Sequence, residues 1–138
     1  LRHSSAASDV YKRQHEDTTS FEGFDKFPGH MRNKWCIVKI PPTASKKLVD
    51  KIVDCGYNTI HASNTLPTEL GGLSGKVLVP YTTRLIQYIK SKHPHVQIIA
   101  GGGVKNKSDA EQYLEAGADH ISLGTVCFTP WKVKSILK

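Results

Sequence analysis

Residues 96–125 carry the pattern that most restricts the fold of this chain. Residues 96–100, VQIIA, form a short and nearly continuous apolar run, which is typical of a parallel strand buried on both faces. Glycines 101–103 end that run, a helix-like segment follows, and a second apolar stretch at 121–123 ends in Gly124 and Thr125. This order predicts a strand, helix, strand unit whose two glycine loops lie at the same end of a parallel sheet.

The helix of this unit has recognisable start and stop signals. Ser108 and Asp109 are residue types that begin helices, and Gly117 stands where a glycine commonly ends one. In (β/α)8 barrels, the loops that join the carboxyl ends of strands to the following helices often bind phosphate. The two glycine loops are therefore either a phosphate site or two ordinary tight turns.

The same alternation extends over the rest of the chain. Strands are predicted at 35–40 and 58–63, helices at 44–55, 81–92 and 131–137, and a long glycine-rich loop at 68–80. Four strands alternating with four helices indicate consecutive right-handed βα units on one parallel sheet. The predicted fold is α/β, about four βα units, which is half of a (β/α)8 barrel, since a whole barrel needs about 250 residues.

Composition narrows the possible classes of protein. With 138 residues, 38% hydrophobic and 22% charged, the chain is typical of one soluble domain. Cys36, Cys55 and Cys127 form no C-x-x-C pair, so we expect reduced, buried thiols and no metal site. No apolar stretch approaches the roughly 20 residues of a membrane span, and the amino-terminal end has no apolar signal core, which favours a cytoplasmic protein.

The formal net charge of +7 raises the question of nucleic-acid binding. Most lysines fall on predicted helices and loops, and no stretch interleaves basic with aromatic residues as a single-strand-binding surface would. We therefore expect no nucleic-acid partner. A basic nucleic-acid binder is kept as an alternative, for which a steep salt dependence of binding would be the sign.

Residues 1–34 differ from the remainder. Residues 1–14, LRHSSAASDVYKRQ, have no apolar periodicity and resemble sequencing-adaptor read-through, so we expect a non-native artefact. Residues 15–34 are polar and contain glycine and proline, which predicts a loop or irregular segment. The domain proper is then 35–138, and we expect it to be part of a longer gene product.

Two further groups of residues could carry chemistry. Lys39 lies in an otherwise apolar strand and must reach solvent at the strand end or meet an anionic or electron-rich partner. Ser63, Asn64 and Thr65 follow the second strand, at the end where barrel enzymes bind their substrates. An Asn-Thr pair at that place also suits a simple turn.

Taken together, these segments resemble one family. The strings VKIPP, SNT, GGLSG, IIAGGGV and ISLGT reproduce, in order and spacing, the carboxyl-terminal half of the dihydroorotate dehydrogenases. The resemblance implies a flavin-mononucleotide (FMN) dependent barrel that oxidises dihydroorotate to orotate in de novo pyrimidine (UMP) biosynthesis. It leaves open the electron acceptor, a homo-oligomer, and a membrane or quinone association of the complete protein.

The resemblance also implies roles for individual residues. Lys39 would contact the flavin ring and stabilise negative charge on it, and Ser63 would lie against the ring. Asn64 and Thr65 would hydrogen-bond the pyrimidine substrate. The remaining implied FMN-binding positions are Gly72 and Gly75 beside the flavin, and Gly102, Gly103, Gly124 and Thr125 around its phosphate.

One functional part of the family pattern has no counterpart in this chain. The family's catalytic base, a Ser or Cys, lies on a loop of the other barrel half, and Cys36 lies inside a predicted strand instead. We therefore expect no catalytic residue in this chain and no dehydrogenase turnover by the chain alone. Two alternatives are kept, a related FMN barrel with another substrate and a non-catalytic half-barrel that binds FMN or a sugar phosphate.

Overall fold

A computed structural model describes residues 35–62, 65–69 and 71–137 of the chain. The predicted segments 1–14 and 15–34, and the predicted site residues Ser63 and Asn64, lie outside the described residues. The described strands are β1 (Val38–Ile40), β2 (Thr59–Ala62), β3 (Leu66–Thr68), β4 (Gly71–Leu73), β5 (Gln97–Gly101) and β6 (His120–Ser122). The helices are α1 (Lys46–Asp54), α2 (Val79–Lys92), α3 (Lys107–Glu115) and α4 (Pro130–Ile136), with 3₁₀ turns at Lys76–Leu78 and Thr125–Phe128.

A parallel sheet organises the described residues. Its strand order is β1-β2-β5-β6, and every neighbouring pair in it is parallel. A helix follows each of these strands along the chain, so the predicted alternation of four strands with four helices is confirmed. Among the described strands, β1 and β6 each pair on one side only, which leaves two edges of the sheet unpaired.

Strand register separates the two faces of this sheet. Ile40, Ala62 and Ala100 are paired in one row, and all three are buried in the apolar core together with the inward faces of the helices. Lys39, His61, Ile99 and His120 form the adjacent row on the opposite face, because successive side chains of a strand point to opposite sides. That face is more open, with Lys39 and His120 exposed and His61 and Ile99 half-buried.

The openness of this face corrects two expectations. The strand around Ile99 was expected to be buried on both faces, but Ile99 is half-buried and Gln97 is exposed. The strand predicted at 35–40 is shorter, since Trp35 and Ile37 are exposed and the ladder begins at Val38. The physical reason is that only one face of the described sheet carries a layer of helices.

Helix boundaries follow local capping chemistry. Ser45 caps α1 by accepting a hydrogen bond from the Leu48 N–H, and the predicted apolar face of that helix is buried. The start signal of α3, predicted at Ser108 and Asp109, lies two residues earlier, because the capping side chain belongs to Asn106, whose Oδ1 accepts from the Asp109 N–H at 2.9 Å. Gly117 ends the helix with a φ of +109°, which confirms its predicted capping place.

The loop predicted at 68–80 contains regular structure. β3 and β4 pair as an antiparallel hairpin, followed by the 3₁₀ turn, and α2 begins at Val79 rather than at 81. The glycines of this stretch favour a loop. In the hairpin, Pro67 is paired opposite Gly72. The Thr68 hydroxyl donates to the Gly71 carbonyl oxygen at 2.6 Å, which stabilises the turn between the two strands.

The cysteines match their prediction only in part. Cys36, Cys55 and Cys127 carry no disulfide, and the first two are partly buried against the core. Cys127 is exposed, which contradicts the expectation of a buried thiol. It lies in the 3₁₀ turn Thr125–Phe128, where the apolar neighbour that turns inward is Val126.

Candidate functional site

A cavity of about 370 Å³ opens at the carboxyl ends of the parallel strands. Six segments line it: the ends of β1 and β2, the residue before the hairpin, the stretch after the hairpin, the glycine loop after β5, and the loop after β6. The lining residues are Lys39, His61, Thr65, Ser74, Gly75, Leu78, Gly102, Gly103, Val104, Ser122, Leu123, Gly124 and Thr125. Parallel strands place all their carboxyl ends at one edge, which is why segments far apart in sequence meet here.

Seven of the ten predicted site residues line this cavity: Lys39, Thr65, Gly75, Gly102, Gly103, Gly124 and Thr125. Gly72 does not line it. Gly72 lies in β4 with its backbone against the Thr65 side chain, so closely that a Cβ there would overlap that side chain. Gly72 therefore packs against Thr65 and does not itself line the cavity. Its contact with a flavin stays a prediction, as do the roles of Ser63 and Asn64.

Lys39 and His61 form the floor of the cavity. They are directly paired across β1 and β2, and each is the penultimate residue of its strand. Lys39 is exposed, so its ammonium group needs no partner inside the protein. Burial of the imidazole, reinforced by the positive charge of Lys39, lowers the pKa of His61 below its usual 6.5, which keeps the ring neutral near pH 7.

Two glycine loops form the wall of the cavity. Gly102 and Gly103 have φ values of +87° and +79°, a backbone region that disfavours other residues. Space restricts them as well, because a Cβ at Gly103 would lie 2.6 Å from the Gly75 carbonyl oxygen. At Gly75 and Gly124, in contrast, a Cβ would meet nothing within 4 Å, so the backbone there faces open space in the cavity.

Polar contacts from α3 brace the loop after β5. The Asp109 carboxylate is buried; its Oδ2 accepts from the Lys105 N–H at 2.9 Å, and Oδ1 lies 3.6 Å from the Lys76 ammonium. The buried Tyr113 hydroxyl donates to the Gly102 carbonyl oxygen at 2.6 Å. These contacts brace the loop after β5 from the side of α3.

The arrangement suits a ligand with an anionic group and a polar ring. Glycine backbone at 102–103 and 124 can approach an anion closely, and the Thr125 hydroxyl can donate to it. At the other side, the Lys39 ammonium can neutralise charge, and the neutral His61 ring offers one donor and one acceptor. These donors fit the phosphate and the ring of a flavin nucleotide.

Sequence reasoning missed several lining residues, of which His61 is the most polar. The sequence predicts its strand, but the predicted site residues there are Ser63, Asn64 and Thr65, which come after His61. The usable signal was its position two residues before Ser63, on the same side of the strand by the alternation of side chains. Only the register of β1 with β2 shows that it lies beside Lys39.

Two kinds of structural feature are absent from the described residues. Within residues 35–62, 65–69 and 71–137, no three His, Cys, Asp or Glu side chains are grouped so that they could hold a metal ion. In the same residues, no helix has the length and apolarity needed to cross a membrane.

Comparison with known sequences identifies one family. The family model described as "Dihydroorotate dehydrogenase" matches residues 6–138. A dihydroorotate dehydrogenase B (NAD(+)) catalytic subunit from Thermotoga petrophila is 46% identical over 59 residues, which are 43% of this chain and 22% of that protein. A dihydroorotate dehydrogenase (quinone) from Dichelobacter nodosus is 33% identical over 119 residues, covering 74% of this chain and 35% of that protein.

Comparison of structures agrees with these matches. The ligand-free dihydroorotate dehydrogenase of Eimeria tenella superposes with a TM-score of 0.64 and 26% identity, over 74% of this chain and 33% of that one. Such dehydrogenases are TIM barrels, so the predicted fold class, part of a (β/α)8 barrel, is confirmed. The chain spans roughly a fifth to a third of the length of these relatives.

Proposed function

The chain belongs to the dihydroorotate dehydrogenase family, and from that membership we propose that it supplies the FMN-binding part of an enzyme that oxidises dihydroorotate to orotate, in de novo pyrimidine (UMP) biosynthesis. The family is generally flavin-dependent. The observation that carries the proposal is the cavity, in which seven of the residues that the family resemblance implies, from five segments of the chain, meet.

The proposed FMN site has a phosphate end and a ring end. Backbone at Gly102, Gly103 and Gly124, with the Thr125 hydroxyl, would hold the phosphate, since these residues line one side of the cavity without bulky side chains. Lys39 would lie against the ring from the floor. FMN held here by Lys39 and the glycine loops would supply the hydride acceptor for the oxidation of dihydroorotate.

The protein's own contribution is then positioning and charge. The positive charge of Lys39 would favour negative charge developing on a neighbouring ring, and the braced glycine loops would need little rearrangement to bind the phosphate. Thr65, backed by Gly72, would help to orient the pyrimidine substrate, with Asn64 and Ser63 supplying further contacts. The proton acceptor is expected on a part of the enzyme that this chain does not contain.

The test is a comparison of FMN with riboflavin, which has the same ring but no phosphate. We expect the purified chain to quench FMN fluorescence on binding, with a Kd at least tenfold below that for riboflavin, because charge-assisted hydrogen bonds to the phosphate contribute about 1.5–3 kcal/mol each. Equal affinity for the two would contradict the phosphate assignment. Absence of binding to either would overturn the proposed function.

The substrate, acceptor and location complete the proposal. Relatives named for NAD(+) and for quinone both match this chain, so the acceptor is left unassigned. We place the enzyme in the cytoplasm, where dihydroorotate, a small water-soluble anion, is expected. Orotate formation by the chain together with the missing barrel half, and not by the chain alone, is the expected activity result.

A further inference from the structure

The half-buried side chain of His61 carries a polar atom that the described residues leave without a partner. Its Nε2 atom is shielded from solvent and has no hydrogen-bond partner within residues 35–62, 65–69 and 71–137. A buried polar atom without a partner costs stability, and such atoms are uncommon in folded proteins. The same ring lines the cavity, so a rotation of the imidazole about its Cβ–Cγ bond would turn Nε2 toward a bound molecule, which could then supply the missing partner.

The position of His61 defines which part of a ligand it can reach. His61 and Lys39 are paired in adjacent parallel strands, so their side chains leave the same face of the sheet about 5 Å apart. A ring system of three fused rings is longer than this spacing. A ligand ring that lies against Lys39 is therefore within reach of His61 as well.

The neutral charge state of His61 favours a hydrogen bond to a polar ring over binding of a phosphate. Burial and the neighbouring Lys39 both lower the pKa of His61, so the imidazole is neutral near pH 7. A neutral imidazole has one N–H donor and one acceptor nitrogen. It can thus pair with either a carbonyl or an N–H on the polar edge of a flavin ring, while Lys39 supplies the positive charge.

We infer that His61 is a ligand-binding residue of this site, which hydrogen-bonds the polar edge of the flavin ring through a ring nitrogen next to Lys39. The inference deepens the proposed function and depends on it. The contact orders the His61 ring, gives its nitrogen a partner, and fixes the rotation of the flavin ring over the sheet. Phosphate binding is the task of the glycine loops and needs no contribution from His61.

The experiment compares three variants of the purified chain by FMN and riboflavin titration. His61→Leu removes the hydrogen bond by introducing an apolar side chain of similar size. His61→Gln introduces an amide, which can still donate and accept a hydrogen bond. His95→Leu makes the same chemical change at an exposed residue between α2 and β5, outside the cavity. Circular dichroism and urea unfolding show whether each variant is folded.

We expect His61→Leu to weaken binding of both FMN and riboflavin about five- to tenfold, since one hydrogen bond is lost from the ring that both ligands share. His61→Gln should retain affinity within about threefold, and His95→Leu should match the unmodified chain. In a nitrogen-15 NMR spectrum, the His61 imidazole resonances should shift on adding either ligand.

Two results would overturn the inference, and they are distinguishable. If the unmodified chain binds FMN but His61→Leu binds it equally well, with no change in the imidazole resonances, His61 does not contact the ring and the proposed function survives. If the unmodified chain binds neither FMN nor riboflavin, both the inference and the proposed function fail. A His61→Leu variant that fails to fold leaves the NMR shifts of the unmodified chain to decide.

Discussion

At the scale of single residues, the glycines of the cavity wall differ in the constraint that disfavours a larger residue. Gly103 is restricted twice, by a φ of +79° and by the Gly75 carbonyl oxygen 2.6 Å from the place of a Cβ. Gly75 is restricted once, by a φ of +100°, because a Cβ there would meet nothing within 4 Å. The pair therefore separates backbone strain from close packing.

Gly103→Ala should lower the free energy of unfolding more than Gly75→Ala does. Strain alone is expected to cost about 1–3 kcal/mol in either variant. Gly103→Ala adds the displacement of the 75–76 backbone, which also moves the cavity wall and should weaken FMN binding. Urea unfolding of both variants measures the difference, and equal losses of stability would show that the two loops are not packed as described.

Lys39 provides the second prediction at this scale. Lys39→Met keeps the length of the side chain and removes its charge, so FMN binding should weaken about tenfold, as expected when a charge-assisted hydrogen bond is lost. Lys47→Met is the matched control, because Lys47 is exposed at the start of α1 and does not line the cavity. Equal Kd values for FMN in the two variants would contradict the role proposed for Lys39.

At the scale of elements, one carboxylate joins α1 to the end of α2. Asp50 accepts hydrogen bonds from the Tyr88 hydroxyl at 2.8 Å and the Lys92 ammonium at 2.6 Å, and its Oδ1 lies 2.8 Å from His93 Nε2. Burial of the carboxyl acts to raise its pKa, but these three hydrogen bonds outweigh that effect and lower the pKa from 3.8 to about 2.

This pKa predicts a loss of stability in acid. Because the folded-state pKa of Asp50 lies below the unfolded value, its contribution is present above about pH 4 and is lost as the pH falls toward 2. Asp50→Asn should lower the free energy of unfolding at pH 7 by about 1 kcal/mol, since solvent screens a partly exposed ion pair. Its unfolding free energy should then change less between pH 5 and 2 than that of the unmodified chain.

The matched control for that prediction is Asp54→Asn on the same helix, for which no ion pair is seen within the part of the chain that the structure describes. Chemical unfolding at pH 7 and at pH 3 measures both variants. The assignment of the acid sensitivity to Asp50 would be wrong if the two variants lost stability equally at pH 7.

At the scale of the whole molecule, the described fold leaves apolar surface and strand edges uncovered. β1 and β6 each have one unpaired edge within the described sheet. Phe128, Trp131 and Leu137 are 86%, 70% and 76% exposed. Unpaired edges and exposed large apolar side chains favour association with another chain.

We therefore predict that the isolated chain self-associates. Size-exclusion chromatography with light scattering should give a mass above that of one chain, and replacing Phe128 and Trp131 together by Ser should lower it. Lys132→Ser is the control on the same helix, where the lost side chain is exposed but charged. A monomer with a single cooperative unfolding transition would contradict this prediction.

The sequence by itself was sufficient to predict the alternation of strands and helices and the positions of the glycine loops. These depend on local properties: runs of β-branched residues, capping side chains, and positive-φ positions such as Gly102 and Gly117 that few other residues tolerate. Such signals lie within a few residues of the structure they specify. The seven site residues that line the cavity were predicted from the family resemblance, whose motifs are likewise short local strings of the sequence.

Other features were decided only by the tertiary structure, because they depend on pairs distant in sequence. The register of β1 with β2 places His61 beside Lys39, and the pairing of β3 with β4 sets Gly72 behind Thr65. The bonds of Asp50 to the end of α2 likewise require the helices to be packed side by side. The alternation of Ile60, His61 and Ala62 indicates the face on which His61 lies, but its pairing with Lys39 depends on contact between two strands that are distant in sequence.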